Sequence, residues 1–98
     1  MRYEFHPEAL EEFEEAARHY SRRQPGLDLR FIASVRETVE RILGEPTRWR
    51  IFEEDVRRCF THVFPYSILY TIERDYVLIV AVAHCSRKPG YWKSRRSE

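Results

Sequence analysis

The residues best equipped for chemistry gather near the end of the chain. His84, Arg87, Lys88, Tyr91 and Trp92 stand in the run His-Cys-Ser-Arg-Lys-Pro-Gly-Tyr-Trp, just past an apolar stretch that reads as a strand. A polar and aromatic cluster at a strand end is a place where a site can be built on a rigid frame. Its chemistry is cationic. Between His84 and Glu98 five bases (Arg87, Lys88, Lys93, Arg95, Arg96) face one acid, Glu98. Such an end can meet phosphates or an acidic protein segment. A second basic pair, Arg57-Arg58, lies upstream in another strand-like stretch.

Composition narrows the classes. The 98 residues suit a single domain spanning 1–98, with a basic tail over 86–98. At 43% apolar and 14% aromatic, the chain is too apolar to stay disordered. The net charge of +1 hides an acidic start, in which Glu4, Glu8, Glu11, Glu12, Glu14 and Glu15 outnumber Arg2. Cys59 and Cys85 form no Cys-x-x-Cys pair, so neither a redox nor a zinc motif is present. Both fall in strand-like context and read as small buried hydrophobes. No cluster has metal-ligand spacing, and no cofactor is implied. The acidic N-terminus is unlike a signal peptide, and no apolar run approaches the roughly 18 residues of a membrane span. The expectation is a cytoplasmic protein without a membrane partner.

The elements that position the cluster follow from periodicity. Tyr3 and Phe5 alternate with Arg2 and Glu4, a short strand over 2–5. Pro7 then suits the first turn of a helix, and His6 belongs to its entry. Ala9, Leu10, Phe13, Ala16, Ala17 and Tyr20 form the apolar stripe of a helix over about 7–22, leaving the Glu run as its solvated face. Gln24-Pro25-Gly26 ends it. Leu27, Phe31, Ile32, Val35, Val39, Ile42 and Leu43 stripe a second helix over about 27–43, closed by Gly44-Glu45-Pro46. Strands are expected over 48–52, 56–64, 66–72 and 76–83. The second places Val56, Arg58, Phe60, His62 and Phe64 on one side, and Pro65 marks a bend. The last is apolar on both faces, so it should be covered on both. His62 reads as a surface residue. The expected fold is α+β: an N-terminal strand, a helical hairpin, then an antiparallel sheet of about four strands with the hairpin on one face. The other face needs a cover or is a groove for a partner.

This order and its residues resemble the RelE/ParE family of bacterial type II toxins. The resembling residues are Phe5-His6-Pro7-Glu8-Ala9, Tyr20, Pro25-Gly26-Leu27, Phe31, Arg57-Arg58, Phe64-Pro65-Tyr66, Ile68, Tyr70, and His84 through Arg87, Pro89 and Tyr91-Trp92. The resemblance implies a growth-inhibiting toxin neutralised by a bound cognate antitoxin, with operator DNA met only through that antitoxin. It also implies two mechanisms. RelE-like members cleave mRNA in the ribosomal A site, whereas ParE-like members inhibit DNA gyrase and need no hydrolytic site.

RNA cleavage through the 2′-hydroxyl needs a base for that hydroxyl, positive charge on the phosphate and an acid for the leaving oxygen. In a RelE-like chain the site is His84, Arg58, Arg87 and Tyr91, with Glu53 or Glu54 as an alternative base, as carboxylates are in some relatives. Arg57, Arg58, Arg87, Lys88 and Trp92 are the candidates for holding a partner or a phosphate, and Tyr91 and Trp92 are the rings that could stack bases. Each has a plainer reading. His84 serves as a hydrogen-bonding strand-end residue, the arginines protect a sheet edge, and Tyr91-Trp92 pin the tail to the sheet. Two features favour the gyrase side. No lysine occurs over 47–83, unlike some RelE nucleases, and His84 is followed by Cys85 and a further tail instead of closing the chain in a His-Tyr pair. A degenerate member that only binds its antitoxin is the third reading.

Overall fold

The computed structural model describes residues 1–96; Ser97 and Glu98, the last two residues of the basic tail, lie outside the described residues. Strand β1 (Arg2–Phe5) leads into helix α1 (Pro7–Arg23), which turns into helix α2 (Leu27–Gly44). Strands β2 (Ile51–Glu53), β3 (Val56–Phe60), β4 (Tyr66–Ile72) and β5 (Tyr76–His84) follow, and a short 3-10 helix, Lys93–Arg96, closes the tail. The sheet has five strands in the order β1-β5-β4-β3-β2. β1 enters parallel to β5, and all other neighbours are antiparallel. The fold is thus α+β as expected, with the N-terminal strand recruited as a fifth strand beside the apolar β5.

Local chemistry sets the helix ends. The His6 ring caps α1, its Nδ1 accepting from the Glu8 amide at 3.1 Å, and Pro7 occupies the first turn. Gly26 opens α2 with φ of 86°, a left-handed conformation that glycine adopts without steric cost. The hairpin packs on one sheet face. Phe31, Val35, Val39 and Ile42 from α2 and Ala9 and Ala16 from α1 meet Cys59, Ile68, Tyr70, Val77, Ile79 and Val82. At its far end Tyr20, Phe31, Phe64 and Tyr66 form an aromatic group, with Phe31 5.0 Å from Tyr66 and Tyr20 5.1 Å from Phe64. Phe64 and Tyr66 of the Phe64-Pro65-Tyr66 motif therefore pack against the core, while Pro65 between them is exposed.

The opposite face has its own smaller core of Val56, Leu69, Val80, Ala81, Ala83 and Trp92. Here the tail is the cover. A slip in the β4–β5 register leaves Val80 without a partner opposite Leu69 and Tyr70, so Val80 and Ala81 both turn toward Trp92. That bulge lets a nine-residue strand serve both cores, as its apolar sequence on both faces requires.

Several expectations need correction. The strand expected over 48–52 is the shorter Ile51–Glu53, because Arg48 is held in a turn by Glu45. The strand expected over 56–64 stops at Phe60. Val63 has φ of 74°, and the Thr61 hydroxyl donates to the Phe64 and Tyr66 carbonyls, so a turn replaces the ladder. Val56, Arg58 and Phe60 keep to the tail side, while Phe64 is carried round to the helix side. Leu10 is 40% exposed, so the α1 stripe is narrower than its spacing suggested. Cys85 is exposed, since it follows the strand end; Cys59 is buried, which pushes its thiol pKa up. Glu12 is half-buried, with a side chain 14% exposed, and does not belong to the solvated face.

Candidate functional site

Two cavities meet at the C-terminal end of β5. The first, about 220 Å³, lies on the tail side and is bounded by Phe52, Arg58, Phe60, His84, Arg87, Lys88, Tyr91 and Trp92 among others. The second, about 650 Å³, is an open groove between α1 and β5, with Glu8, Glu11, Glu12 and Glu15 on one wall and His84, Arg87 and Arg95 on the other. His84 and Arg87 border both.

The strands fix each cation. Arg57 and Arg58 are consecutive in β3, so their side chains take opposite faces. Arg58 goes to the tail side, its guanidinium 4.5 Å from the Phe52 ring and 4.9 Å from the Phe60 ring. These two aromatics, 37% and 52% exposed, give the cavity an apolar wall beside the charge. Arg57 instead donates to the Trp49 carbonyl at 2.7 Å and the Thr47 carbonyl at 3.3 Å. It secures the irregular segment before β2 and stands apart from the cluster. Lys88 lines the cavity and is exposed.

His84 is the last residue of β5, directly across from Tyr66, whose ring meets it edge-on at 5.1 Å. Its Nδ1 accepts from the Ser86 amide at 3.0 Å and lies 2.8 Å from the Ser86 hydroxyl. The same turn brings the Arg87 amide back to the His84 carbonyl. Arg87 then lies over the Tyr91 ring, 3.9 Å from its centroid. Tyr91 donates to Glu12 at 2.6 Å, and burial followed by this contact pushes its pKa well up, so the phenol stays protonated. Trp92 is 1% exposed and packs against Phe52 at 6.0 Å. Its ring fills the second core and is not presented for stacking on a base. Glu53 is engaged by Lys93 at 2.9 Å, while Glu54 occupies the β2–β3 turn with φ of 53°.

The structure thus gathers His84, Arg58, Arg87, Lys88 and Tyr91 around one cavity, leaves Arg57 outside it and buries Trp92. It adds Glu12, which sequence reasoning placed in solvent. Both Glu12 oxygens accept from Arg95, at 2.9 and 3.0 Å, and Oε1 also accepts from the Val82 amide at 3.0 Å. The reason is topological. β1 pairs with β5 only as far as Ile79, and the edge beyond is open. Glu12 meets the Val82 amide there, and Arg95 donates to the Val80 carbonyl at 3.0 Å. The unmatched acid on the α1 face offered no signal, because its partners are 70 residues or more away in sequence.

Residues 3–89 match the family profile described as "ParE toxin of type II toxin-antitoxin system, parDE". The chain belongs to the ParE toxin family. Among solved structures, a chain of "Chromosomal ParDE TA system from P. aeruginosa" superposes with a TM-score of 0.74 at 17% identity, covering 86% of this chain and 95% of its own. That likeness is one of fold. No curated protein matches the chain significantly. This ParE-family member carries, among the described residues, no helix long and apolar enough to cross a membrane.

Proposed function

We propose that this ParE-family chain is a growth inhibitor held in check by a bound antitoxin, and that it acts by protein–protein inhibition of DNA gyrase. The family match over residues 3–89 carries this reading. Two features of the cluster support inhibition over RNA hydrolysis. The Tyr91 hydroxyl is committed to Glu12, so it is a poor proton donor to a leaving group. Trp92 is buried, so the tail tryptophan is not offered as a stacking platform for a base. What remains exposed is a surface of Arg58, Arg87 and Lys88 beside Phe52 and Phe60. A basic rim around an apolar patch suits an acidic protein surface, whether of the target or of the antitoxin.

The second reading, a ribosome-dependent mRNA endonuclease, has one observation in its favour: Arg58, His84, Arg87 and Tyr91 line the same cavity. Induced expression with DNA supercoiling assays and mapping of mRNA ends separates the two. Growth arrest with DNA damage, inhibited supercoiling and no new mRNA ends is the expected result. New ends within translated codons that vanish in His84→Ala and Arg87→Ala would establish the nuclease instead. Induction without any growth defect would leave only antitoxin binding.

A further inference from the structure

Glu12 is an acid on the first helix that gathers four groups from the far end of the chain. Arg95 meets both carboxylate oxygens, the Tyr91 hydroxyl meets Oε2, the Val82 amide meets Oε1, and Arg87 Nη1 lies 3.8 Å from Oε2. The side chains of Glu12 and Arg95 are only 14% and 6% exposed. Tyr91, held by this carboxylate, is in turn the platform on which the Arg87 guanidinium lies.

We propose that Glu12 is a positioning residue: through Tyr91 and Arg95 it locks the tail and aims Arg87 into the cationic cavity where the target is met. The inference rests on the reading of that cavity as a contact surface, and it adds a residue on a different element that sets its geometry. The physical reason is the balance of donors and acceptors. Every neighbour of Glu12 named above donates, and an ionised carboxylate only accepts, with about four lone-pair sites. A glutamine of the same size must turn its NH₂ toward either the Val82 amide and Arg95 Nη1 or the Tyr91 hydroxyl and Arg95 Nη2. Either choice sets donor against donor at Arg95 and leaves that buried charge with only the longer ionic contact to Glu8, 3.9 Å from its Nε. Arg87 then loses both the fixed ring beneath it and the nearby negative charge.

The test compares wild type, Glu12→Gln, the exposed control Glu14→Gln and a core control, Ile42→Val, which lowers stability without touching the tail. Amide exchange at Val82 and across the tail, with order of the Arg87 Nε–Hε group by NMR, reads the positioning. Growth inhibition and gyrase supercoiling, measured well below each melting point, read potency. In Glu12→Gln, exchange at these amides should quicken about tenfold or more, the Arg87 group should become mobile, and potency should fall about tenfold. Both controls should keep wild-type potency. Wild-type exchange and Arg87 order in Glu12→Gln would overturn the inference, as would a loosened tail with undiminished potency or an equal loss in Ile42→Val. If Glu12→Gln does not fold, Tyr91→Phe removes a single donor and answers to the same readouts. If wild type arrests growth yet spares gyrase, the target assignment fails, and growth inhibition still judges Glu12. If wild type is inert, the exchange and Arg87 measurements alone decide the positioning claim.

Discussion

Replacing Trp92 by Ala tests whether the tail is part of the folded core or a loose basic arm. The ring is 1% exposed and closes a core otherwise made of Val56, Leu69, Val80, Ala81 and Ala83. A buried tryptophan removes about 150–250 Å² from water, worth roughly 4–6 kcal/mol as an upper estimate. Measured truncations of this kind cost about 3–5 kcal/mol, because the cavity left behind only partly collapses. A domain of this size has about 5–15 kcal/mol in total. Trp92→Ala should therefore lower the melting temperature by about 12–25 °C, at the roughly 4–5 °C per kcal/mol expected for a domain near 100 residues. Leu29→Ala, at a side chain 66% exposed, is the internal control and should shift stability by no more than about 0.5 kcal/mol. Thermal and urea unfolding followed by far-UV circular dichroism measure both. A loss below about 1 kcal/mol for Trp92→Ala would refute the two-core description and return Trp92 to the pool of surface residues able to stack on a base.

Other expectations follow from the same geometry. Arg57→Ala should cost about 1.5–3 kcal/mol, as the Thr47 and Trp49 carbonyls lose a charged donor, whereas Arg58→Ala should leave stability nearly unchanged and weaken target inhibition; paired melting and supercoiling assays separate them. Gly26→Ala should destabilise by about 1–2 kcal/mol although nothing stands within 4 Å of an added Cβ, because the cost is the left-handed backbone itself; urea unfolding measures it. Tyr70 donates to the Pro46 carbonyl at 2.6 Å, and burial pushes its pKa up to about 12. The folded value exceeds the unfolded phenol value of about 10, so the stabilisation is whole below pH 10 and is lost as pH rises toward 12. The stability advantage of wild type over Tyr70→Phe should accordingly shrink across that range in alkaline urea titrations, and an advantage that stays constant would contradict it.

Periodicity and punctuation were enough to specify most of the elements. The helix stripes ending in Phe31, Val35, Val39 and Ile42, the Pro7 entry, the Gln24-Pro25-Gly26 turn and the doubly apolar β5 are local patterns, and local backbone and side-chain preferences decide them. The resemblance carried by Phe64-Pro65-Tyr66 and His84 through Trp92 led to the family, and the cationic cluster at the strand end was visible as a cluster of residue types.

What tertiary structure alone decided is which of those residues share a surface. Arg57 and Arg58 look equivalent in sequence, yet the two-residue period of a strand sends one to backbone carbonyls and the other to the cavity. Glu12 looks like one more acid on a solvated helix. It is drawn mostly out of solvent because β1 ends at Phe5 and leaves the β5 edge open at the height of the second helical turn, and because the tail returns with Arg95 and Tyr91 to meet it. Such pairings join residues 70 to 83 positions apart, and no local preference encodes them. They follow from where the sheet stops and where the chain comes back.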